Sequence, residues 1–400
     1  MLALLPGRDD DVSRNLGNLF TTIALALACY LLFNFDPHES GLQFSEYFSI
    51  NPKVGSAYAL GVDGLSLPMV ALATLLTSIA LLASSSITAS VKGYHISILL
   101  TEFGMLGVFL AQDWSLFYIF WEITLIPMFF LIDRWGGKRR QAASLNFVLY
   151  TMGGSIFMLV SLIAVYQYVP EHVSLMSAMG EVSEKMPRDH QVWAFLGFLI
   201  GFGVKMPIFP LHGWLPLAHV EAPSPVSILL SGILLKMGAY GLLRIVVILP
   251  TAAQTLQSLL VFLALFGMIY GGLLAWRQSD LKAMVAYSSI SHMGIVLLGI
   301  STLNETGLIG AVLQMSAHGL IAGALFLVVG LLYDRTHTRN IQDYSSLVQV
   351  MPRFAFFTTI TLLAAMGMPG TVGAVAELHA MVGGFQQWGG LIIFFSLAIL

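Results

Sequence analysis

Apolar runs of about 20 residues recur along this chain, and they restrict its fold more than any single motif does. A helix of roughly 20 residues spans the hydrocarbon core of a bilayer. The buried strands of a soluble α/β protein would instead give runs of about 4–8 residues between turn signals. About twelve hydrophobic segments follow one another here. The first five are Leu16–Phe35, Leu65–Ser84, Tyr94–Ala111, Trp114–Ile132 and Ala143–Tyr168. Val192 to about Ala222 is long and broken by proline, and Val226–Leu249, Leu256–Trp276 and Leu281–Ile300 come next. Leu308–Tyr333, a second broken segment from Phe354 to about Phe385, and an apolar run from Gly390 onward complete the series. Charged residues make up only 10% of the 400, against about 25% in soluble domains, so the chain cannot coat a water-facing surface. The expected fold is an all-α, polytopic transmembrane helix bundle. Both ends look cut: Met1–Pro6 resembles the tail of a preceding helix, and Leu391–Leu400 stops inside an apolar run.

The composition excludes several function classes. A net charge of −3 with no basic tail argues against nucleic acid as a partner. The only cysteine, Cys29, rules out an internal disulfide and any zinc or iron–sulfur site built on several thiolates. There is no glycine fingerprint for a dinucleotide, so the chain is expected to hold no redox cofactor of its own. The ten histidines fall into no tight metal-ligand spacing, and no metal is expected.

The loops and breaks suggest how the spans are arranged. Arg134, Lys138, Arg139 and Arg140 form one basic cluster, and Arg335, Arg339 and Arg353 form another. The stretch Glu171–Glu184 and the pair Asn304–Glu305 are acidic or mixed, although Lys185 and Arg188 lie nearby. The positive-inside rule places the basic loops on the cytoplasmic side. The two broken segments each carry a Met-Pro pair, at Met206-Pro207 and Met368-Pro369. Proline removes a backbone donor, and paired broken helices in two halves of a transporter point to an internal repeat with an ion path at the breaks. Each break is the fourth segment in a run of five, and an odd number of spans inverts one unit relative to the other. The expected organisation is therefore residues 1–93 as N-terminal helices and loop, 94–249 as one five-helix unit, and 250–400 as a second, inverted one.

Ionisable residues well inside the apolar segments carry the functional reading. Glu122, Lys205, Lys236, His292, His318 and Glu377 all lie there. A charge at a helix centre costs about 2.5–3.5 kcal/mol on insertion scales, so such groups should face the bundle interior and take part in function. A poorly hydrated lysine gives up its proton readily, a nearby carboxylate stabilises its charged form, and histidine is a natural carrier between. The expected roles are Glu122 and Lys205 as a tuning pair, Lys236, His292 and His318 as relay sites, and Glu377 as the exit group. A structural ion pair for Glu122 and Lys205, an interfacial position for Lys236 and satisfied core positions for the histidines are the competing readings. Glu102 and Lys282 lie nearer segment ends, where a structural role is expected. His212 and His219 flank the first break as secondary candidates.

These residues also carry a family resemblance. Phe202-Gly-Val-Lys205-Met-Pro-Ile-Phe-Pro-Leu-His212-Gly-Trp-Leu-Pro216, Gly232-Ile-Leu-Leu-Lys236-Met-Gly, Asp280-Leu-Lys282 with Ser291-His292-Met-Gly294, and Ala317-His318-Gly319 resemble the antiporter-like membrane subunits of respiratory complex I. Phe120-Trp-Glu122, Met368-Pro-Gly370 with Glu377, and His337-Thr-Arg339 resemble chain 4 in particular. Trp135–Arg140 and Tyr150–Ser155 resemble the cyanobacterial and chloroplast form. The resemblance implies a subunit of fourteen helices in two inverted five-helix repeats. It also implies proton pumping driven by electron transfer in other subunits, through the same six residues. NAD(P)H or ferredoxin, iron–sulfur clusters and a quinone, plastoquinone in the photosynthetic form, would then belong to partner subunits. The expected partners are neighbouring antiporter-like subunits and lipid, and the expected location is the cyanobacterial thylakoid membrane, with a bacterial plasma membrane or chloroplast thylakoid as alternatives. Leu217 stands where the family usually has Asp, a departure of the kind a paralogue for carbon dioxide uptake would carry. The alternatives are a subunit of a multi-subunit sodium/proton antiporter without redox coupling, and an independent redox enzyme, which the missing cofactor motifs argue against.

Overall fold

The computed structural model describes residues 10–39, 41–51, 55–169, 172–180, 182–390 and 392. Met1–Pro6, Glu171 and Glu181 of the acidic loop, and all of the last apolar run but Gly390 and Ile392 fall outside these residues. Helix α1 (Asp10–Asn34) lies at the edge of the bundle with most of its surface turned outward. An antiparallel hairpin follows, β1 (Gln43–Asn51) and β2 (Ser56–Val62), with Phe48 opposite Tyr58. This hairpin adds to the expected all-helical bundle: the stretch between Phe35 and Leu65 has no long apolar run, and β2 buries alternate residues at Ala57, Ala59 and Gly61 before ending on buried Val62. Then come α2 (Ser66–Leu82), α3 (Val91–Leu110), α4 (Trp114–Ile123), α5 (Leu125–Trp135) and α6 (Arg140–Tyr166).

Short helices α7 (Met176–Met179) and α8 (Val182–Lys185) lead to the first broken span, α9 (Arg188–Lys205) and α10 (Trp214–Glu221). Helix α11 (Ser224–Leu229) continues through a π-helical turn at Leu230–Leu234 into α12 (Leu235–Ile248). The short α13 (Pro250–Thr255) precedes α14 (Gln257–Trp276), α15 (Leu281–Ser301) and α16 (Glu305–Thr336). After α17 (Leu347–Val350) comes the second broken span, α18 (Pro352–Ala365) and α19 (Val372–Trp388). Among the described residues, nine helical segments are long and apolar enough to cross a membrane. The segment α11–α12 is buried over most of its length and forms the centre of the bundle, whereas α1 and α14 are largely outward-facing.

Polar side chains set the helix starts. Asp113 caps α4 by accepting from the Leu116 amide at 3.0 Å, and its other oxygen binds the Ala57 amide and the Ser174 hydroxyl, which fastens the hairpin and the α6–α9 loop to the bundle. Asp280 caps α15 and Asn304 caps α16 in the same way. The breaks fall at the Met-Pro pairs, as expected. At the first, the Trp214 indole donates to the Val204 carbonyl at 2.8 Å and the Ile208 amide to the Gly203 carbonyl at 2.8 Å, so carbonyls released by Pro207 are satisfied within the protein. At the second, Gly367 and Gly370 turn with φ of 65° and 96°, and Thr371 caps α19. Backbones of α16 and α19 approach closely: a Cβ on Gly383 would lie 2.5 Å from the Gly307 backbone, and one on Gly310 would collide with Ala380.

Candidate functional site: a buried row of ionisable groups

Four helices bring Lys236, His318, His292 and Glu377 into one connected row. Lys236 is fully buried on α12, just after the π turn. Its ammonium donates to the Ser231 carbonyl inside that turn at 2.5 Å and meets Nδ1 of His318 on α16 at 2.7 Å. This second contact holds one proton between two nitrogens: while Lys236 is charged, His318 accepts at Nδ1 and is neutral. The His318 and His292 rings stand 5.3 Å apart between centroids at 40°. His292, on α15, places Nδ1 3.5 Å from Oε1 of Glu377 on α19. Gln314 lies between these two, with Nε2 3.5 Å from each. The close α16–α19 approach sets this end of the row, and the carboxylate of Glu377 also abuts Gly367 at the second break.

Glu122 and Lys205 form a separate group. Lys205 ends α9 at the first break and is buried. Its ammonium donates to Thr124 Oγ1 at 3.1 Å and lies 4.7 Å over the Trp121 ring. Glu122 acts on it by charge through space, not by direct ion pairing, and shares a hydrogen bond with Tyr118. Oε1 of Glu122 is buried and lacks a partner. A lysine held by one hydroxyl and an aromatic face, with its carboxylate at a distance, is a looser arrangement than a structural salt bridge.

Glu102 and Lys282, expected near segment ends in structural roles, differ in where the fold puts them: Glu102 is away from the end of its helix, and Lys282 stands at the start of α15 as expected. Glu102 lies mid-way along α3, buried, with one carboxylate oxygen unpartnered. Lys282 is buried too, and donates to the Ala222 carbonyl at 2.7 Å. Of the secondary candidates, His219 is fully buried and stacks on Phe326 at 4.6 Å, with neither ring nitrogen hydrogen-bonded. His212 packs against Phe209 and Tyr270 at the first break.

A cleft of about 1090 Å³ opens on one face, where both basic clusters meet. Lys138 and Arg139 line it from one side, and His337 and Arg339 from the other. Arg139 pairs with Glu221 at 3.2 Å, and Arg339 with Asp280 at 3.1 Å. The opposite face carries a third pair, Arg244 with Asp63 at 2.6 Å. Burial works to raise the Asp63 carboxyl, but the hydrogen bond and charge of Arg244, with help from Ser66, outweigh it and hold the group below its ordinary value.

Residues 111–400 match the family described as NADH:quinone oxidoreductase/Mrp antiporter, transmembrane. The chain belongs to that family. An NAD(P)H-quinone oxidoreductase chain 4 of Picosynechococcus sp. is 43% identical over 96% of this chain and 72% of its own length. A chain 4 of Synechococcus elongatus is 45% identical over the same shares. Among solved structures, respiratory complex I from Thermus thermophilus contains a chain 31% identical, with a TM-score of 0.89 over 96% of this chain and 81% of that one. A chain of the Mrp complex from Dietzia sp. superposes with a TM-score of 0.87 at 22% identity, covering 98% of this chain and 43% of that one, which shows a shared fold. Membership in this antiporter-like family agrees with the resemblance drawn from the Lys205, Lys236, His292 and His318 motifs.

Proposed function

We propose that this chain is a proton-translocating membrane subunit of a complex I-like oxidoreductase, one that passes electrons from NAD(P)H or ferredoxin to a quinone in other subunits. The observation that carries the reading is the row Lys236–His318–His292–Glu377, in which three successive steps join four groups able to hold a proton, all buried except the half-buried His292. The chain 4 relatives supply the redox partner class. A proton leaves the Lys236 ammonium for His318 Nδ1, crosses to His292 by way of a bridging water, and reaches Glu377, which releases it at the second break. Glu122 sets how firmly Lys205 holds its own proton, and so links the first break to the row. The two five-span units, residues 94–249 and 250–400, would each contribute one broken helix. The basic cleft is read as cytoplasmic and the membrane as a cyanobacterial thylakoid, with plastoquinone as acceptor and the redox cofactors in partner subunits.

Purification of the intact complex tests the assembly: iron–sulfur subunits should accompany this chain, and their replacement by antiporter subunits alone would favour a sodium/proton exchanger. Glu122→Gln or Lys205→Ala should abolish the pumping that runs through this subunit in reconstituted vesicles while the complex still assembles. Unchanged pumping would overturn the relay.

A further inference from the structure

The row begins at Lys236, which is fully buried. A proton must reach it from elsewhere, and the cleft between the basic clusters is lined by a second buried lysine. Lys282 lies at the floor of that cleft. It is buried, and its ammonium caps the C-terminal end of α10 at the Ala222 carbonyl. Its charged surroundings are Asp280 at the start of its own helix, Asp334 on α16, Glu221 on α10 and Arg339 in the loop beyond α16. Beyond it, three residues back along α10, stands His219, wholly buried with two unpartnered ring nitrogens. An imidazole left without either hydrogen bond is costly unless it is used. The charges of Lys282 and Lys236 both act on this ring, from the cleft side and the row side.

We propose that Lys282 and His219 load the row, carrying protons from the cleft to Lys236; this rests on the reading of the row as a proton path. In the step, an N–H bond of the Lys282 ammonium breaks and one forms at a ring nitrogen of His219. The resulting imidazolium gives the proton from its ring to the neutral Lys236 amine. Water in the cleft returns a proton to Lys282. Carboxylates at Glu221, Asp280 and Asp334 keep the charged form of Lys282 available at the cleft floor, and stacking on Phe326 holds the His219 ring between the two lysines.

The test uses the complete complex in vesicles, reading protons pumped per electron transferred. Glu377→Gln first defines the share of pumping that runs through this subunit. Lys282→Met and His219→Phe should each remove that same share. Lys282→Arg is the deciding variant, because a guanidinium keeps the charge and the bond to Ala222 yet does not release its proton. It should fail to pump as Lys282→Met does, and it also decides the matter if Lys282→Met does not assemble. Normal pumping by Lys282→Arg would overturn the loading role and leave Lys282 as a helix cap. If Glu377→Gln removes no pumping at all, the row itself is misread, and the loading step falls with it.

Discussion

The Lys236 ammonium and the Nδ1 atom of His318 are 2.7 Å apart inside the bundle, on helices that begin 70 residues apart in sequence, at Leu235 and Glu305. Two nitrogens at that distance cannot both be protonated and charged, so the pair behaves as one proton site with two positions. Lys236→Met and His318→Gln should each stop pumping through the subunit. The double variant should be no worse than either single one, because both break the same step. Pumping ratios for the three variants in vesicles check this, and additive losses would show that the two residues act separately.

Lys205 depends on Thr124 for its hydrogen bond. Thr124→Val keeps the shape but leaves a buried ammonium one bond short, a loss of about 1.5–3 kcal/mol for a charged group. The loss falls on the charged form. Pumping through the subunit should therefore decline with rising pH sooner in Thr124→Val than in the parent, since the lysine surrenders its proton earlier. A pH series of pumping ratios on both proteins measures the displacement, and coincident curves would remove Thr124 from the site.

The indole of Trp214 satisfies the Val204 carbonyl at the first break. Trp214→Phe keeps the packing against Phe147 and loses the donor, which should cost about 1–3 kcal/mol where no water can substitute. Thermal denaturation of the purified complex should show a lower transition, and pumping at low temperature should fall less than stability does.

The Arg244–Asp63 pair gives the opposite face an acid limit. Asp63 has a folded value below its ordinary one, so its contribution is present above about pH 4 and fades as pH falls through the lowered folded value. Asp63→Asn should lose that contribution at every pH, about 2–3 kcal/mol for a pair that is only partly exposed. Melting temperatures of the variant and its parent should converge toward low pH, and a constant gap would sink the assignment.

Much of this was legible in the chain. Met206-Pro207 and Met368-Pro369 mark both breaks because proline has a defined effect on a helix wherever it stands. Lys236, His318 and Glu377 announce themselves because an ionisable group in an apolar run is costly unless it faces the bundle interior or finds a partner. The burial of Lys282 and Glu102 was not legible, because distance from a segment end says nothing about the direction a side chain faces; only the neighbouring helices decide that. The pairing of Lys205 with Thr124 instead of Glu122 depends on how α4 and α9 pack, which spacing along the chain does not encode. His219 was visible as a residue but not as an unpartnered one, since an absent hydrogen bond is a property of the assembled interior.

The π turn at Leu230–Leu234 fits one more residue into the helix than a regular turn would hold. Each residue advances an α-helix by about 100° of azimuth. Winding the same residues as regular α-helix, with none removed, would swing Lys236 by about that angle relative to α11, away from His318. The turn thus acts as a phase setting for α12, and the compass bearing of one ammonium group is fixed by the count of residues in five positions of chain.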